Sequence, residues 1–209
     1  MNKDLKHYIE NHIIPIYDEQ IKCHGSAHIN YVIRRSLEFA KQVMGEAVNP
    51  DMVYVIAAFH DIGILKDRAT HELVGAQMLR DDENLRKFFT PDQIETMAQA
   101  VEDHRASARS EPRTIYGKIV SSADRFTGIR EGLAIMHRYR QKYNPEIGLE
   151  ETIEESRLHA LEKFGENGYA RKKMYFVDPE YDKFLADVTT LANDKDAFRK
   201  KFLEVIGNN

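Results

Sequence analysis

Ala57-Ala58-Phe59-His60-Asp61-Ile62-Gly63 sets an imidazole and a carboxylate at the end of an apolar run that begins at Met52. Residues 52–59 are nearly all apolar, so the helix they form is predicted to be buried on several sides. Burying His60 and Asp61 at its end costs on the order of several kcal/mol unless something compensates. A divalent cation compensates both at once, because neutral imidazole and carboxylate are good ligands for such ions. A His-Asp dipeptide alone says little, so its surroundings carry the weight.

Upstream, His28 opens the stretch Ile29, Val32, Ile33, Leu37, Ala40 and Val43, whose spacing is helical. His24, four residues earlier, is its rival on the same face, although Gly25-Ser26 beside it reads as a loop at a pocket rim. Downstream, Ile94, Met97, Val101 and His104 step by three, four and three, which puts His104 on an apolar stripe. Ile119, Val120 and Ala123 lead to Asp124 within Ser121-Ser122-Ala123-Asp124-Arg125. Between these lies His71-Glu72, followed by Leu73, Val74, Gly75 and Ala76. Separate segments thus each bring a His or an Asp inward from an apolar face. His7, His12, His137 and His159 lack such a context and are expected on polar helical faces.

Taken together, His28, His60-Asp61 and Asp124 resemble the pattern of the HD superfamily of metal-dependent phosphohydrolases: a His on one helix, a His-Asp pair on the next and an Asp on a later one. The likeness extends from about His28 to Arg130, and KIVSSADRFTGI resembles the segment that carries the family's last Asp. The resemblance implies a metal site formed by His28, His60, Asp61 and Asp124. His71 in HDIGILKDRATHELVGA and His104 in VEDHRAS resemble the branches that hold two metals. There Asp61 would bridge the ions, with a catalytic part as well, while His71 and His104 would serve the second. Two ions about 3.5–4 Å apart can clamp the attacking and the leaving oxygen of a displacement.

The reaction implied is hydrolysis of a phosphoester or phosphoanhydride of a nucleotide or similar small molecule. Mixed His and carboxylate ligands suit one or two ions of manganese, iron, cobalt, nickel or zinc. A dedicated magnesium site would use oxygen ligands alone, which leaves magnesium to a complex with substrate. The absence of Cys ligands speaks against a closed structural zinc site. Lys66, Arg105, Arg109 and Arg125 lie near the ligands in sequence and are candidates for holding phosphate oxygens, with plain solvent exposure as the alternative for each. Glu72 and Asp103, beside His71 and His104, are candidates for a general acid. Two rival readings stand: an HD-type di-iron oxygenase with six His/Asp ligands, and a noncatalytic HD signalling module. The GYP motif that accompanies the cyclic-dinucleotide branch is not in the sequence.

The chain has 209 residues and a net charge of −4, which argues against a nucleic-acid polymer as partner. Its one cysteine, Cys23, permits no intrachain disulfide and fits a reducing compartment. The N-terminal stretch intersperses charges among apolar residues, unlike a signal peptide, and no apolar stretch reaches transmembrane length. The expectation is a cytoplasmic protein with no membrane partner, compatible with a homodimer. The fold class expected is all-α: an HD-domain helical bundle with extra C-terminal helices. Residues 1–209 form one domain in this reading, with a motif-bearing core over about 24–130 and a helical extension over about 131–209. Asn49-Pro50, Thr90-Pro91-Asp92-Gln93 and Asp178-Pro179-Glu180 carry helix-start signals. Helices are predicted over 3–21 (kinked at Pro15), 27–44, 50–61, 71–81, 91–104, 114–126, 129–142, 149–164, 179–193 and 195–206. Ile153, Leu158 and Leu161, then Phe184, Leu185, Val188 and Leu191, are expected to pack inward. Arg171, Lys172 and Lys173 lie in an irregular connection and read either as a solvated face or as substrate contacts, and Tyr169, Tyr175 and Phe176 as packing or as lining for a base pocket.

Overall fold

The computed structural model describes residues 1–19, 25–43, 45, 47–108, 110–125, 128–172 and 174–207. The regular elements among the described residues are all helical, with no strand among them. Chain contacts separate two compact units: Met1–Arg125 with Met174–Phe176, and Phe126–Lys173 with Val177–Asn209.

The first unit is built around α3 (Pro50–Phe59), in which every residue from Met52 to Phe59 is buried. Asn49 accepts a bond from Asp51 N at 2.9 Å and Pro50 occupies the first turn, so the start signal acts as expected. Around α3 pack α2 (Ser26–Ala40), α4 (His71–Asp81), α5 (Pro91–Glu102) and α6 (Ile115–Ala123). Thr90 and Gln93 form the predicted capping box at the start of α5. Ile29, Val32, Phe39, Ile94, Met97, Val101, Ile119 and Val120 close the core against α3.

The N-terminal helix departs from one continuous α-helix. After α1 (Lys3–Tyr8) the chain widens into a π-turn over Ile9–Ile13 and tightens into a 3₁₀ stretch over Ile14–Glu19. Pro15 lacks an N–H and its ring crowds the carbonyl four residues back, which explains the loss of regular bonding there. A further 3₁₀ turn, Ile62–Leu65, follows the His-Asp pair and packs on α4.

The second unit comprises α7 (Ile129–Tyr143), α8 (Leu149–Phe164), α9 (Pro179–Asn193) and α10 (Lys195–Gly207). Its buried residues include Leu133, Ile153, Phe164, Tyr181, Phe184, Leu185, Val188, Phe198 and Phe202. Leu158 is 52% exposed, against expectation. The inward face of α8 is set by Ile153, Ser156, Arg157, Ala160 and Phe164, and a residue five positions after Ile153 falls off that stripe. Arg171 is neither a solvated charge nor free for substrate. Its guanidinium donates to the carbonyls of Phe164 and Gly165, closing the C-terminal end of α8. Lys173 lies outside the described residues. His137 packs its ring edge-on against Phe202 instead of standing on a polar face, and burial lowers its pKa.

Candidate metal centre

Helix ends supply most of the site. His60 is the C-cap of α3, Asp124 the C-cap of α6, and His104 follows the end of α5. A helix C-terminus leaves carbonyls unpaired and carries the negative end of the helix dipole. Three such ends converge here, so the backbone itself favours a positive guest. His28 comes from the first turn of α2, and His71 is the first residue of α4.

Asp61 stands between two groups. Its Oδ2 is 3.6 Å from His28 Nε2 and 3.4 Å from His60 Nε2. Its Oδ1 is 3.3 Å from His71 Nε2 and 3.6 Å from His104 Nε2. Asp124 Oδ1 completes the first group, 3.4 Å from His28 Nε2 and 4.0 Å from His60 Nε2. The six residues form two candidate metal-holding triads, His28–His60–Asp124 and Asp61–His71–His104, whose ligand atoms lie within 4.8 Å of one another. Metal bonds of about 2.0–2.2 Å hold neighbouring ligand atoms roughly 3–3.5 Å apart, close to most of these separations.

The ring tautomers sharpen the fit. Nδ1 of His60 lies 2.8 Å from Ala57 O, Nδ1 of His71 3.0 Å from Arg68 O, and Nδ1 of His104 2.6 Å from Val101 O. A carbonyl oxygen can only accept, so Nδ1 carries the hydrogen in each ring and donates it. In the neutral rings Nε2 is then a bare lone pair turned inward. Nε2 of His71 and of His104 face each other at 3.3 Å, an arrangement that repels unless a proton or a cation is shared between them. His60 Nε2 is buried without a hydrogen-bond partner. Carbonyl bonds that orient imidazoles in this way are the usual support of metal-binding histidines.

Charge in the cluster is large. Burial alone would lower the pKa of His60, but the neighbouring Asp61 and Asp124 carboxylates outweigh it and push the pKa up to about 9. Burial would raise the Asp124 carboxyl, but the His28 hydrogen bond and the His60 charge hold it well below the usual carboxylate range. In the metal-free chain the proton on His60 therefore stabilises the fold in full below about pH 6.5, and this contribution is lost as pH rises through about 9. A cation at Nε2 must displace that proton. Manganese affinity, followed by titration calorimetry, is expected to rise about tenfold per pH unit from neutrality towards pH 9 and then level off. A flat profile would contradict the assignment of His60 as a ligand.

The remaining sequence-predicted residues separate. Glu72 lies beside His71, its carboxylate 3.5 Å from His71 Nδ1 and held by Arg105 Nη1 at 3.1 Å. Arg105 also donates to Ala69 O, so this pair braces the start of α4. Asp103 is not brought to the cluster: both its oxygens accept from Arg113, whose Nη2 also reaches Glu102. Lys66 is exposed at the end of the 3₁₀ turn. Arg125 is buried and turned onto the Asp124 carbonyl, not onto its carboxylate. Arg109 and His24 lie outside the described residues.

Two supports carried no local signal in the sequence. Tyr17, fully buried in the 3₁₀ stretch Ile14–Glu19, donates to Ala58 O at 2.8 Å and so occupies a carbonyl at the end of α3. Burial and the Asp61 charge hold its pKa well above the ordinary value. Tyr31 donates to Arg125 O at 3.0 Å, tying α2 to the turn that carries Asp124.

Helices that turn imidazoles and carboxylates to one point define a metal-binding helical domain. Residues 26–129, which contain all six cluster residues, match the family model of the HD domain. The chain belongs to the HD superfamily, whose members bind divalent metals and are typically metal-dependent hydrolases. No curated protein and no solved structure matches it. No helix among the described residues is long and apolar enough to cross a membrane.

Proposed function

We propose that this protein hydrolyses a phosphoester or phosphoanhydride bond of a nucleotide or similar small phosphorylated molecule, using two divalent cations. One observation carries the reading: the two oxygens of Asp61 are divided between two histidine pairs. His28, His60 and Asp124 would hold one ion, His71 and His104 the other, and Asp61 would bridge them. Such ions supply an acidified water and a clamp on the phosphoryl oxygens when bound.

The chain's own residues do the rest. The Nδ1–H bonds lock three rings so that their lone pairs converge. His60, Asp61 and His104 are almost wholly buried, which removes competing water and strengthens each electrostatic contact. The side chains of His28 and Asp124 are 23% and 27% exposed, so substrate approaches from their side.

The test is protein stripped of metal, reloaded separately with manganese, cobalt, nickel, magnesium or iron, and assayed against a panel of phosphate esters and nucleotides. Turnover with at least one of the first three ions is expected. Protein that binds two ions yet hydrolyses nothing would overturn the proposal, and oxygen uptake by the iron form would point to the oxidative reading instead.

A further inference from the structure

Arg125 buries a cation beside the metal centre among neutral partners. Its Nη1 donates to the Asp124 carbonyl at 2.8 Å and its Nη2 to Ser121 Oγ at 3.2 Å, while its Nε is buried with no hydrogen-bond partner. No carboxylate among the described residues forms an ion pair with it. A buried charge without a counter-charge is costly, and such groups call for an explanation.

The adjoining residue brings a second donor to the same turn of α6. Ser122 Oγ accepts from Tyr175 N at 3.2 Å. Residues 174–176 lie far along the chain from the HD segment yet belong to the first unit, where Phe176 stacks on Phe39 with ring centroids 5.3 Å apart. That contact pins the strap and leaves Tyr175 against α6, with the Lys118 ammonium 5.4 Å from its ring centroid. The Tyr175 hydroxyl is also buried with no hydrogen-bond partner. Burial raises its pKa, the Glu111 charge adds to this, and Arg125 opposes it, which places the guanidinium within electrostatic reach of the phenol. Two unmatched donors and an uncompensated positive charge thus sit against the C-terminal half of α6, the helix whose C-cap is Asp124. Oxygens bearing negative charge satisfy both.

We propose that Arg125 and Tyr175 form the anion-binding lobe of the site, donating to the non-reacting phosphate oxygens of the substrate, and that the 174–176 strap is therefore a substrate-recognition element contributed from outside the matched HD segment. This rests on the phosphohydrolase reading above. Substrate binding engages the guanidinium Nε–H and the phenol O–H, and no covalent step passes through either group.

The probe is inorganic phosphate, titrated calorimetrically into manganese-loaded full-length protein, with manganese titrated alone as a separate measurement. In Tyr175→Phe the phosphate dissociation constant is expected to rise about tenfold, and in Arg125→Gln about a hundredfold. Manganese affinity should stay within about twofold of wild type in Tyr175→Phe. KM for any hydrolysed ester should rise in parallel with the phosphate constant, with kcat changing less. Arg125→Lys keeps the charge and loses the planar fork, and it decides the point if Arg125→Gln does not fold. The proposal falls if phosphate binds Tyr175→Phe and the folded Arg125 variant as tightly as wild type, while the metal and hydrolase readings stand. Should wild-type holoprotein bind no phosphate and hydrolyse no ester, both readings fall, and the manganese titration alone still reports on the metal centre.

Discussion

Asp61→Ala is expected to lower kcat/KM by at least roughly a thousandfold, about 4 kcal/mol of transition-state stabilisation, while the far-ultraviolet circular dichroism keeps its helical form. The reason lies in how many groups depend on one carboxylate. Four imidazole Nε2 atoms stand 3.3–3.6 Å from its two oxygens. Removing it takes the anion from beside both histidine pairs at once, whereas loss of His28 or of His104 would touch one pair. Under the two-ion proposal, bound metal, counted by elemental analysis after dialysis, should fall from two ions to one at most. The same substitution removes the main group that pushes the His60 pKa up to about 9, so the metal-free fold should also become less sensitive to alkaline pH. Asp61→Asn is the closer control, because it keeps the volume and one oxygen while losing the charge. An Asp61→Ala protein with wild-type turnover, or with its full metal content, would refute the bridging role.

The parts of this site that were legible in the sequence are those with a local cause. Period-three-and-four spacing places His104 one turn beyond Val101, and the structure buries both, Val101 within α5 and His104 just past its end. The apolar run at 52–59 announced a central helix whose end needed a partner for His60 and Asp61, and that helix is the core of the first unit. Start signals at Asn49, Thr90 and Asp178 became observed caps because capping involves only residues two or three apart.

What stayed hidden depends on chain segments remote in sequence. Tyr17 meets Ala58 across 41 positions, and Tyr175 meets Ser122 across 53, so no spacing rule reaches them. Asp103 looked available because it adjoins His104, but Arg113, ten residues on, takes its oxygens. Adjacent residues on a helix point about 100° apart, so a neighbour in sequence is not a neighbour in the site. Arg125 resembled a phosphate contact for the same reason of adjacency. Its burial and neutral partners make a different and more specific case.

Gly63→Ala is expected to cause the second large effect, through packing rather than chemistry. A Cβ built at position 63 would lie 2.2 Å from His71 O, 2.8 Å from Gly75 N and 3.0 Å from His71 C. All three are backbone atoms, so no side-chain rotation can relieve the clash. Gly63 has no positive φ, so close approach and not backbone freedom is what demands glycine here. Accommodating the methyl group means pushing the first turn of α4 away from the 3₁₀ turn Ile62–Leu65. Overpacking of this kind costs about 3 kcal/mol, which lowers Tm by roughly 6–12 °C in a chain of this size. The displaced turn begins with His71, whose Nε2 must stay 3.3 Å from both Asp61 Oδ1 and His104 Nε2 to serve the second triad. The folded fraction of Gly63→Ala should therefore retain the ion proposed for His28, His60 and Asp124 and lose the one proposed for His71 and His104. At Gly148 an added Cβ meets nothing within 4 Å, so Gly148→Ala should leave both Tm and metal content nearly unchanged. A Gly63→Ala protein with wild-type Tm and two bound ions would show that α4 can yield without cost, and that His71 is not held in place by this contact.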